Sequence, residues 1–247
     1  MILAVVPAFD EAATIGAVVR RLRVHVAVLV VDDGSSDGTA ETARRAGATS
    51  VVRHERRCGK AAALRSGFAT ALRWGASAVV TLDGDGQHDP DDLGRFVAAA
   101  RGHPQALVLG DRLAAVDGDP VPVLRRGAIR AADWGVGWIG GVSVRDTQSG
   151  YRLYPAALLR EATLRREGFV LETELLLDAI RVGWPIVSVP VRRIYRGCRR
   201  SRFRAVADGG RIAAYLGSEA LGALRLRLRT WRAPRPAAIR PRVSMEA

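Results

Sequence analysis

The segment DGDGQH, residues 83–88, places two carboxylates one glycine apart directly after an apolar run. At the end of a strand, residues i and i+2 point the same way, so Asp83 and Asp85 can converge on one point. Two carboxylates that close repel each other unless a cation lies between them. Oxygen ligands without His or Cys suit Mg²⁺ or Mn²⁺, and Gln87 adds a neutral oxygen. Taken alone, the segment fits a divalent-cation site and a solvated acidic turn equally well.

A second polar segment, DDGSSDGT at residues 32–39, also has two interpretations. Asp33 could accept hydrogen bonds from a nucleobase or a ribose. Asp and Ser also cap helices, and Gly adopts turn conformations, so capping is the simpler interpretation of this segment alone. His88 is interpreted as a loop residue rather than a metal ligand.

Both segments follow short apolar runs that are typical of strands buried on both faces. Helical spacing between these runs predicts an α/β fold with a mostly parallel sheet and right-handed crossovers. Ligands bind beyond the carboxyl ends of such strands, where both polar segments lie. The predicted strands span residues 2–6, 26–31, 50–52, 78–82, 106–109 and 186–191.

The second half of the chain is less regular. Residues 121–140 suggest a helix interrupted by glycines, residues 146–155 (DTQSGYRLYP) a loop, and residues 172–182 a buried helix. Glu172 lies among apolar residues, so it needs either a buried partner or a place at the edge of a site. Four aromatic residues are predicted to belong to the core rather than to stack on sugars: Trp134, Trp138, Tyr151 and Tyr154.

The net charge of +13 is concentrated at the end of the chain, where the last 56 residues hold 15 Arg and 3 acids. Residues 201–232 are predicted to form a basic amphipathic helix on an anionic membrane surface; the alternative is a helix packed on the catalytic domain. Residues 233–247 are rich in Pro and Arg and are predicted to be disordered. Two distant cysteines suit a reducing compartment, and the first residues suit a strand rather than a signal peptide.

Five motifs occur in order: PAFDE (7–11), VVDDGSSDGT (30–39), GKAAALRSGF (59–68), LDGDGQHDP (82–90) and DTQSGYRLYP (146–155). Together they resemble family 2 glycosyltransferases of the GT-A fold, in the dolichyl-phosphate mannose synthase-like or polyprenyl-phosphate glycosyltransferase group. The resemblance covers about residues 1–210. It implies a catalytic domain over residues 1–200, a nucleotide-diphosphate sugar donor and bound Mg²⁺ or Mn²⁺.

The resemblance also implies a role for each matching residue. The residues that would line the nucleotide pocket are Pro7, Phe9, Glu11 and Asp33. Those at the diphosphate and the metal are Asp83, Asp85 and Gln87. Arg112 would meet phosphate or the acceptor, Asp146 would be the acceptor-side carboxylate, and Arg193 and Arg202 would reach phosphates. The sequence departs from the family pattern at Asp10, usually Asn, and at Ser201-Arg202, usually Ser-Lys or Ser-His.

Each of three residues also has a purely structural interpretation: Glu11 could favour the start of a helix, Arg112 could lie on the surface, and Asp146 could cap a turn. If the acceptor is a hydroxyl, Asp146 should act as general base; a lipid phosphate is already anionic and needs cationic groups instead. The leading prediction is inverting transfer of a sugar to a polyprenyl phosphate by a cytoplasmic, peripheral membrane enzyme. A separate membrane subunit is a possible partner of the tail.

Three other functions compete with this prediction. Family 2 also includes enzymes with soluble or glycan acceptors. An aspartyl phosphatase would carry its paired aspartates after the first strand, not a later one. The +12 tail could attract nucleic acid, but the first 191 residues carry only +1 and no recognisable binding module, so no nucleic-acid partner is expected.

Overall fold

A computed structural model describes residues 1–114, 118–194 and 207–232 of the chain, with side chains described as far as residue 225. Within these residues the strands are β1 (Ile2–Ala8), β2 (Ala27–Asp32), β3 (Ser50–Arg53), β4 (Ala78–Thr81), β5 (Leu107–Asp111), β6 (Arg152–Pro155) and β7 (Ile186–Pro190). The helices are α1 (Ile15–Leu22), α2 (Thr39–Arg45), α3 (Lys60–Arg73), α4 (Leu93–Gly102), α5 (Val123–Gly140), α6 (Ala156–Glu161), α7 (Val170–Val182) and α8 (Ala207–Arg232).

The strands form one sheet in the order β3-β2-β1-β4-β6-β5-β7, in which every pairing is parallel except those of β6. Apolar side chains are buried on both faces of the sheet, in one cluster against α3 and α7 and another against α1 and α4. The predicted α/β fold with a mostly parallel sheet is confirmed.

The prediction of a loop over residues 146–155 was wrong for its last four residues, which form β6 between β4 and β5. The first residue of this strand is an arginine, and a charged residue is not typical of a buried strand. Arg152 is nevertheless buried, because its guanidinium donates to the carbonyl oxygens of Thr147, Ser149 and Glu172 at 2.6–2.7 Å. The side chain is tolerated because each of these bonds satisfies a buried polar group.

Chain direction explains why the polar segments meet. Strands β1, β2, β4 and β5 all end at one edge of the sheet, where Asp33, Asp83 and Arg112 follow them. Because β6 runs the other way, the segment from Asp146 to Tyr151 enters the sheet at the same edge. One reversed strand therefore brings the acceptor-side motif beside the paired aspartates.

Helix α8 packs on α5 and α7. Ile212 and Tyr215 are buried in the core, so the first half of α8 fits the packing alternative, whereas Leu221 and Leu224 are exposed. Among the described helices, none is both long enough and apolar enough to cross a bilayer. Arg202 and residues 233–247 lie outside the described residues.

Candidate active site

Asp83 and Asp85 lie in the loop after β4 and border one cavity. Asp83 pairs with the ammonium of Lys60 at 2.8 Å. Burial alone would raise the pKa of Asp83, but the charge of Lys60 holds it below its ordinary value. Gly150 lies close to this pair. A Cβ added at Gly150 would lie 2.8 Å from the Asp83 carboxylate and 3.0 Å from the Lys60 nitrogen. A larger residue at position 150 would have to displace the ends of the Asp83 and Lys60 side chains.

The surroundings of Asp85 disfavour the negative charge of its carboxylate. Burial raises the pKa of Asp85 to about 7, and the nearby charges of Asp83 and Glu11 add to the rise. Gln87, a buried residue, donates its backbone N–H to the Asp85 carboxylate at 3.0 Å. Hard oxygen donors with excess negative charge suit a divalent cation such as Mg²⁺ or Mn²⁺. Asp85, with Asp83 and Gln87, fits the metal site that the sequence suggested.

Lys60, the first residue of α3, was not identified from the sequence. Its ammonium also pairs with Glu172 of α7 at 2.9 Å and lies 5.1 Å from the Phe169 ring centre. Lys60 is therefore the buried partner that Glu172 was expected to need. A lysine at the first position of a helix is disfavoured by the helix dipole. Its presence there therefore indicates that nearby carboxylates stabilise its charge.

Replacing Lys60 with methionine should lower the free energy of unfolding by about 3–5 kcal/mol, because the buried Glu172 and the partly buried Asp83 carboxylates lose their shared cation. Denaturant unfolding followed by circular dichroism measures this change. Arg44→Met on α2 is the control, since the exposed Arg44 pairs with the exposed Glu41 at 3.0 Å and its loss should cost less than about 1 kcal/mol. Equal losses in the two variants would show that the Lys60 ion pairs contribute no more than a surface pair.

Arg112 and Asp146 form a buried ion pair at the end of β5. The Arg112 Nε and Nη2 atoms each donate to the Asp146 carboxylate at 2.7 Å, and the Arg112 backbone N–H donates at 2.8 Å. Burial would raise the pKa of Asp146, but the charge of Arg112 outweighs it and keeps the pKa lowered. Asp146 is 0% exposed, and among the described residues it is not part of the cavity lining, whereas Arg112 is.

The backbone at Asp146 is held in an unfavourable conformation. Its φ of +49° lies in the left-handed region that non-glycine residues avoid. Asp133 of α5 stabilises it by accepting the backbone N–H groups of Asp146 and Thr147 at 3.0 and 2.8 Å. Helix α5 thus fixes the carboxylate that in turn orients Arg112.

Arg193 lies beside Arg112 and contacts the backbone around it. Its guanidinium donates to the backbone carbonyl oxygens of Arg112 and, at 2.6 Å, Asp119. Among the described residues, Arg193 does not line the cavity. As the structure stands, it supports the Arg112 loop; a phosphate contact for it and for Arg202 stays a prediction.

The residues predicted for the nucleotide lie at the same sheet edge, beside the ends of β1 and β2. Pro7 and Glu11 are buried, and the Phe9 ring lies 4.4 Å below the Arg57 guanidinium. Asp33 accepts from the His54 ring at 2.8 Å. It also accepts from the backbone N–H groups of residues 58 and 59. The Asp33 carboxylate therefore orders this loop as described, and a direct role in binding the nucleotide stays a prediction.

A cavity of about 700 Å³ starts at the paired aspartates and runs between α5 and α8. Its inner end is polar and includes Arg112, Arg152 and His88. Burial, reinforced by the charge of Arg112, lowers the pKa of His88 to about 4, so its ring is neutral near pH 7. The side chains that α5 and α8 contribute to the walls are chiefly apolar: Ile129, Trp134, Trp138, Ile139, Ile212 and Leu216.

The prediction that four aromatic residues belong to the core was right for two and wrong for two. Tyr151 and Tyr154 are buried in the core, but Trp134 is 73% exposed and Trp138 37% exposed, and both line the cavity. Helical spacing does not reveal whether an apolar side chain faces a core or a cavity, which explains the error.

Residues 3–163 match the family model described as Glycosyl transferase family 2. The chain belongs to this family. It is a glycosyltransferase with the GT-A fold, as the five motifs predicted.

Two curated relatives and a solved structure are similar over most of the chain. The polyprenol monophosphomannose synthase of Mycolicibacterium smegmatis is 30% identical, covering 76% of this chain and 76% of the relative. The undecaprenyl-phosphate mannosyltransferase of Micrococcus luteus is 30% identical, covering 81% and 86%. The glucosyl-3-phosphoglycerate synthase of Mycobacterium tuberculosis, solved with Mg²⁺ and uridine diphosphate, has a TM-score of 0.69 at 25% identity, covering 89% and 79%.

Proposed function

We propose that this glycosyltransferase moves a sugar from a nucleoside-diphosphate donor to a polyprenyl phosphate, with inversion, at the cytoplasmic face of a membrane. The observation that carries the proposal is the cavity, which joins the paired aspartates and Arg112 to apolar walls from α5 and α8. An acceptor for such a cavity needs an anionic head and a hydrocarbon body. The relatives named for polyprenyl phosphate acceptors support this choice.

The state of Asp146 favours a phosphate over a hydroxyl as the attacking group. A hydroxyl needs a general base within hydrogen-bond reach of its proton. Both oxygens of Asp146 are engaged by Arg112, and burial separates the carboxylate from the cavity. A phosphate monoester is already anionic near neutral pH, so it needs hydrogen-bond donors rather than a base, and the Arg112 guanidinium lines the cavity where such an acceptor would bind.

In the proposed reaction, the acceptor phosphate oxygen attacks the anomeric carbon, and the bond from that carbon to the nucleoside diphosphate breaks on the opposite face. A divalent cation held by Asp85, Asp83 and Gln87 would neutralise charge on the departing diphosphate. Arg112 attracts the acceptor phosphate to the polar end of the cavity. Neutral His88 can hydrogen-bond a phosphate there without adding charge.

A soluble acceptor is the second candidate, because the chain is similar to a glucosyl-3-phosphoglycerate synthase. The apolar walls argue against it, since a small polyanion would leave Trp134, Trp138 and Leu216 without an apolar partner. Two further partners remain predictions: an anionic membrane surface and a separate membrane subunit. The proposed lipid acceptor supports the membrane surface.

We expect sugar transfer to a short polyprenyl phosphate in detergent to require Mg²⁺ or Mn²⁺ and to exceed transfer to the free polyprenol at least ~100-fold. A panel of nucleotide sugars with radiolabelled sugar, extracted into organic solvent, measures the product. Phosphoglycerate serves as the soluble competitor. Preferred transfer to the alcohol or to phosphoglycerate would contradict the proposed acceptor.

A further inference from the structure

Three residues with metal-binding side chains meet at the ends of β2 and β3. Asp33 directly follows β2 and His54 directly follows β3, and the two strands pair in parallel with Asp32 opposite Arg53. Cys58 lies in the loop that leads from His54 to α3. One carboxylate oxygen of Asp33, one ring nitrogen of His54 and the sulfur of Cys58 all lie within 4.8 Å of one another. None of the three is among the described residues that line the cavity.

Hydrogen bonds already hold two of these side chains in place. The Asp33 Oδ1 atom accepts from His54 Nδ1 at 2.8 Å and from the Cys58 backbone N–H at 2.9 Å. The Asp33 Oδ2 atom accepts from the Gly59 backbone N–H at 2.7 Å. On the other side of the imidazole ring, His54 Nε2 lies 2.9 Å from the Ser66 hydroxyl oxygen. These four contacts would order the loop with any residue at position 58, because none of them involves the Cys58 thiol.

The position of Ser66 suits a histidine that binds a metal ion. In such a histidine the second ring nitrogen is almost always hydrogen-bonded to a group that fixes the direction of the ring. A serine hydroxyl can either donate or accept. It can donate to His54 Nε2 while Nδ1–H bonds Asp33, and it can accept from Nε2–H once Nδ1 binds a metal ion. The ring can therefore change tautomer and keep its partner.

The donor atoms differ in kind from those at Asp85. A thiolate, an imidazole nitrogen and a carboxylate oxygen favour Zn²⁺, whereas the oxygen donors at Asp85 favour Mg²⁺ or Mn²⁺. Ligand atoms around a tetrahedral zinc ion lie roughly 3.3–3.6 Å apart. The Cys58 side chain is exposed, so it can rotate to this spacing and give an ion a path to the buried Asp33. The thiol then releases its proton to solvent, and one thiolate and one carboxylate balance the charge of the ion.

We propose that Asp33, His54 and Cys58 bind Zn²⁺, at a site separate from the divalent-cation site of the transfer reaction. Arg57, next to Cys58, lies over the ring of Phe9, which is predicted to line the nucleotide pocket. A zinc ion on Asp33 would lie at the edge of that pocket and should exclude the nucleotide donor. Only this consequence for the donor rests on the proposed function; binding of the ion does not.

The probe is Co²⁺, because a bond from a cysteine thiolate to Co²⁺ gives a charge-transfer absorption band in the near ultraviolet. We expect the reduced, metal-free chain to develop this band with Co²⁺ and to lose it when Zn²⁺ displaces the cobalt. Cys58→Ser should remove the band. The matched control is Cys198→Ser, which replaces the other cysteine of the chain and should leave the band unchanged.

His54→Gln separates the three-residue site from binding by the thiol alone. Glutamine keeps an N–H for Asp33 but removes the ring nitrogen that would bind the metal ion. Loss of an outer hydrogen-bond partner weakens metal binding by roughly 10–100-fold, so loss of a direct ligand should weaken Zn²⁺ binding by at least ~100-fold. Competition between Zn²⁺ and Co²⁺ measures this change.

Three outcomes would overturn the zinc site: no cobalt band in the unmodified chain, a band that survives Cys58→Ser, or equal Zn²⁺ affinity in His54→Gln and the unmodified chain. Sugar transfer with Mn²⁺ in excess tests the donor separately. Zinc should inhibit the unmodified chain but not Cys58→Ser, which keeps the backbone N–H bonded to Asp33. A Cys58-dependent band without this inhibition would support the site and show that Asp33 does not contact the donor. A chain that binds Co²⁺ as expected but transfers no sugar to polyprenyl phosphate would support the site and defeat the proposed function.

Discussion

Replacing Asp85 with asparagine should reduce sugar transfer by roughly 10³-fold, because the departing diphosphate loses the group best placed to hold a neutralising cation. The variant keeps the shape of the side chain and removes only its charge. Radiolabelled transfer at saturating Mn²⁺ measures the effect. Asp91→Asn is the control, since Asp91 lies six residues further along with its side chain 52% exposed, paired with Arg21.

The same substitution should change stability in the opposite direction when metal is absent. The pKa of Asp85 is raised to about 7 from an ordinary value of 3.8, chiefly by burial. The folded chain therefore binds more protons than the unfolded chain between these values, and stability falls as the pH rises from about 4 to about 7. Asparagine has no proton to lose, so its variant should avoid this loss.

Thermal unfolding at pH 5 and pH 8, with and without Mn²⁺, separates the two effects. Without metal, Asp85→Asn should melt above the unmodified chain at pH 8 and close to it at pH 5. Added Mn²⁺ should raise the melting temperature of the unmodified chain much more than that of the variant. A variant that transfers sugar normally, or that responds fully to Mn²⁺, would show that Asp85 does not hold the metal.

Much of the fold could be predicted because its signals are local. Continuous apolar runs of four to eight residues predicted β1, β2 and β4, and the glycine-rich acidic segments predicted the edge at which ligands bind. Asp83 and Asp85 lie two residues apart, so their convergence follows from strand geometry alone. The boundaries of these strands differ from the predicted ones by one or two residues, because apolar patterning does not mark where pairing stops.

The rest depended on contacts that are distant in sequence. The partners of Lys60 lie 23 and 112 residues further along the chain, and the position of Lys60 at the start of a helix does not identify them. The pairing of Arg112 with Asp146 could not be predicted from the sequence either, although each residue was identified separately. A functional residue can be read from its motif, but whether its charge is free or already neutralised depends on the tertiary fold.

The exposed face of α5 shows the same limit. The sequence predicted membrane contact in the tail, because apolar residues there can share one face of a helix with arginines off that face. Trp134 in the middle of the chain looked like a core residue by composition. Only the packing of α8 on α5 shows which apolar side chains of the two helices are covered and which remain at the surface.

Replacing Asp146 with asparagine should lower the free energy of unfolding by about 3–5 kcal/mol, because Arg112 is left buried without a counter-charge. Transfer should fall roughly 10²-fold, since the guanidinium loses the bidentate contact that fixes its direction. Arg112→Gln should have a loss of similar size. Both variants are compared by denaturant unfolding and by steady-state transfer to a polyprenyl phosphate.

The pH dependence of stability gives an independent measurement of the pair. Arg112 keeps the pKa of Asp146 below its ordinary value of 3.8, so the folded chain binds fewer protons than the unfolded chain at low pH. The stability that the pair contributes is therefore complete above pH 3.8 and is lost as the pH falls through the folded pKa. Asp146→Asn should remove this acid-dependent part and leave the profile above pH 5 parallel to that of the unmodified chain.

The double variant decides between a positioning role and a general-base role for Asp146. If Asp146 acts by holding Arg112, removing both residues should cost little more activity than removing either one, because the two residues act as one unit. If Asp146 instead works as an independent base, the two losses should multiply to roughly 10⁴-fold. In the unmodified chain, such a base would also make the transfer rate rise with pH through the pKa of the Asp146 carboxyl group. Multiplying losses would also reopen the choice of acceptor, since a free base at this position is what a hydroxyl acceptor requires.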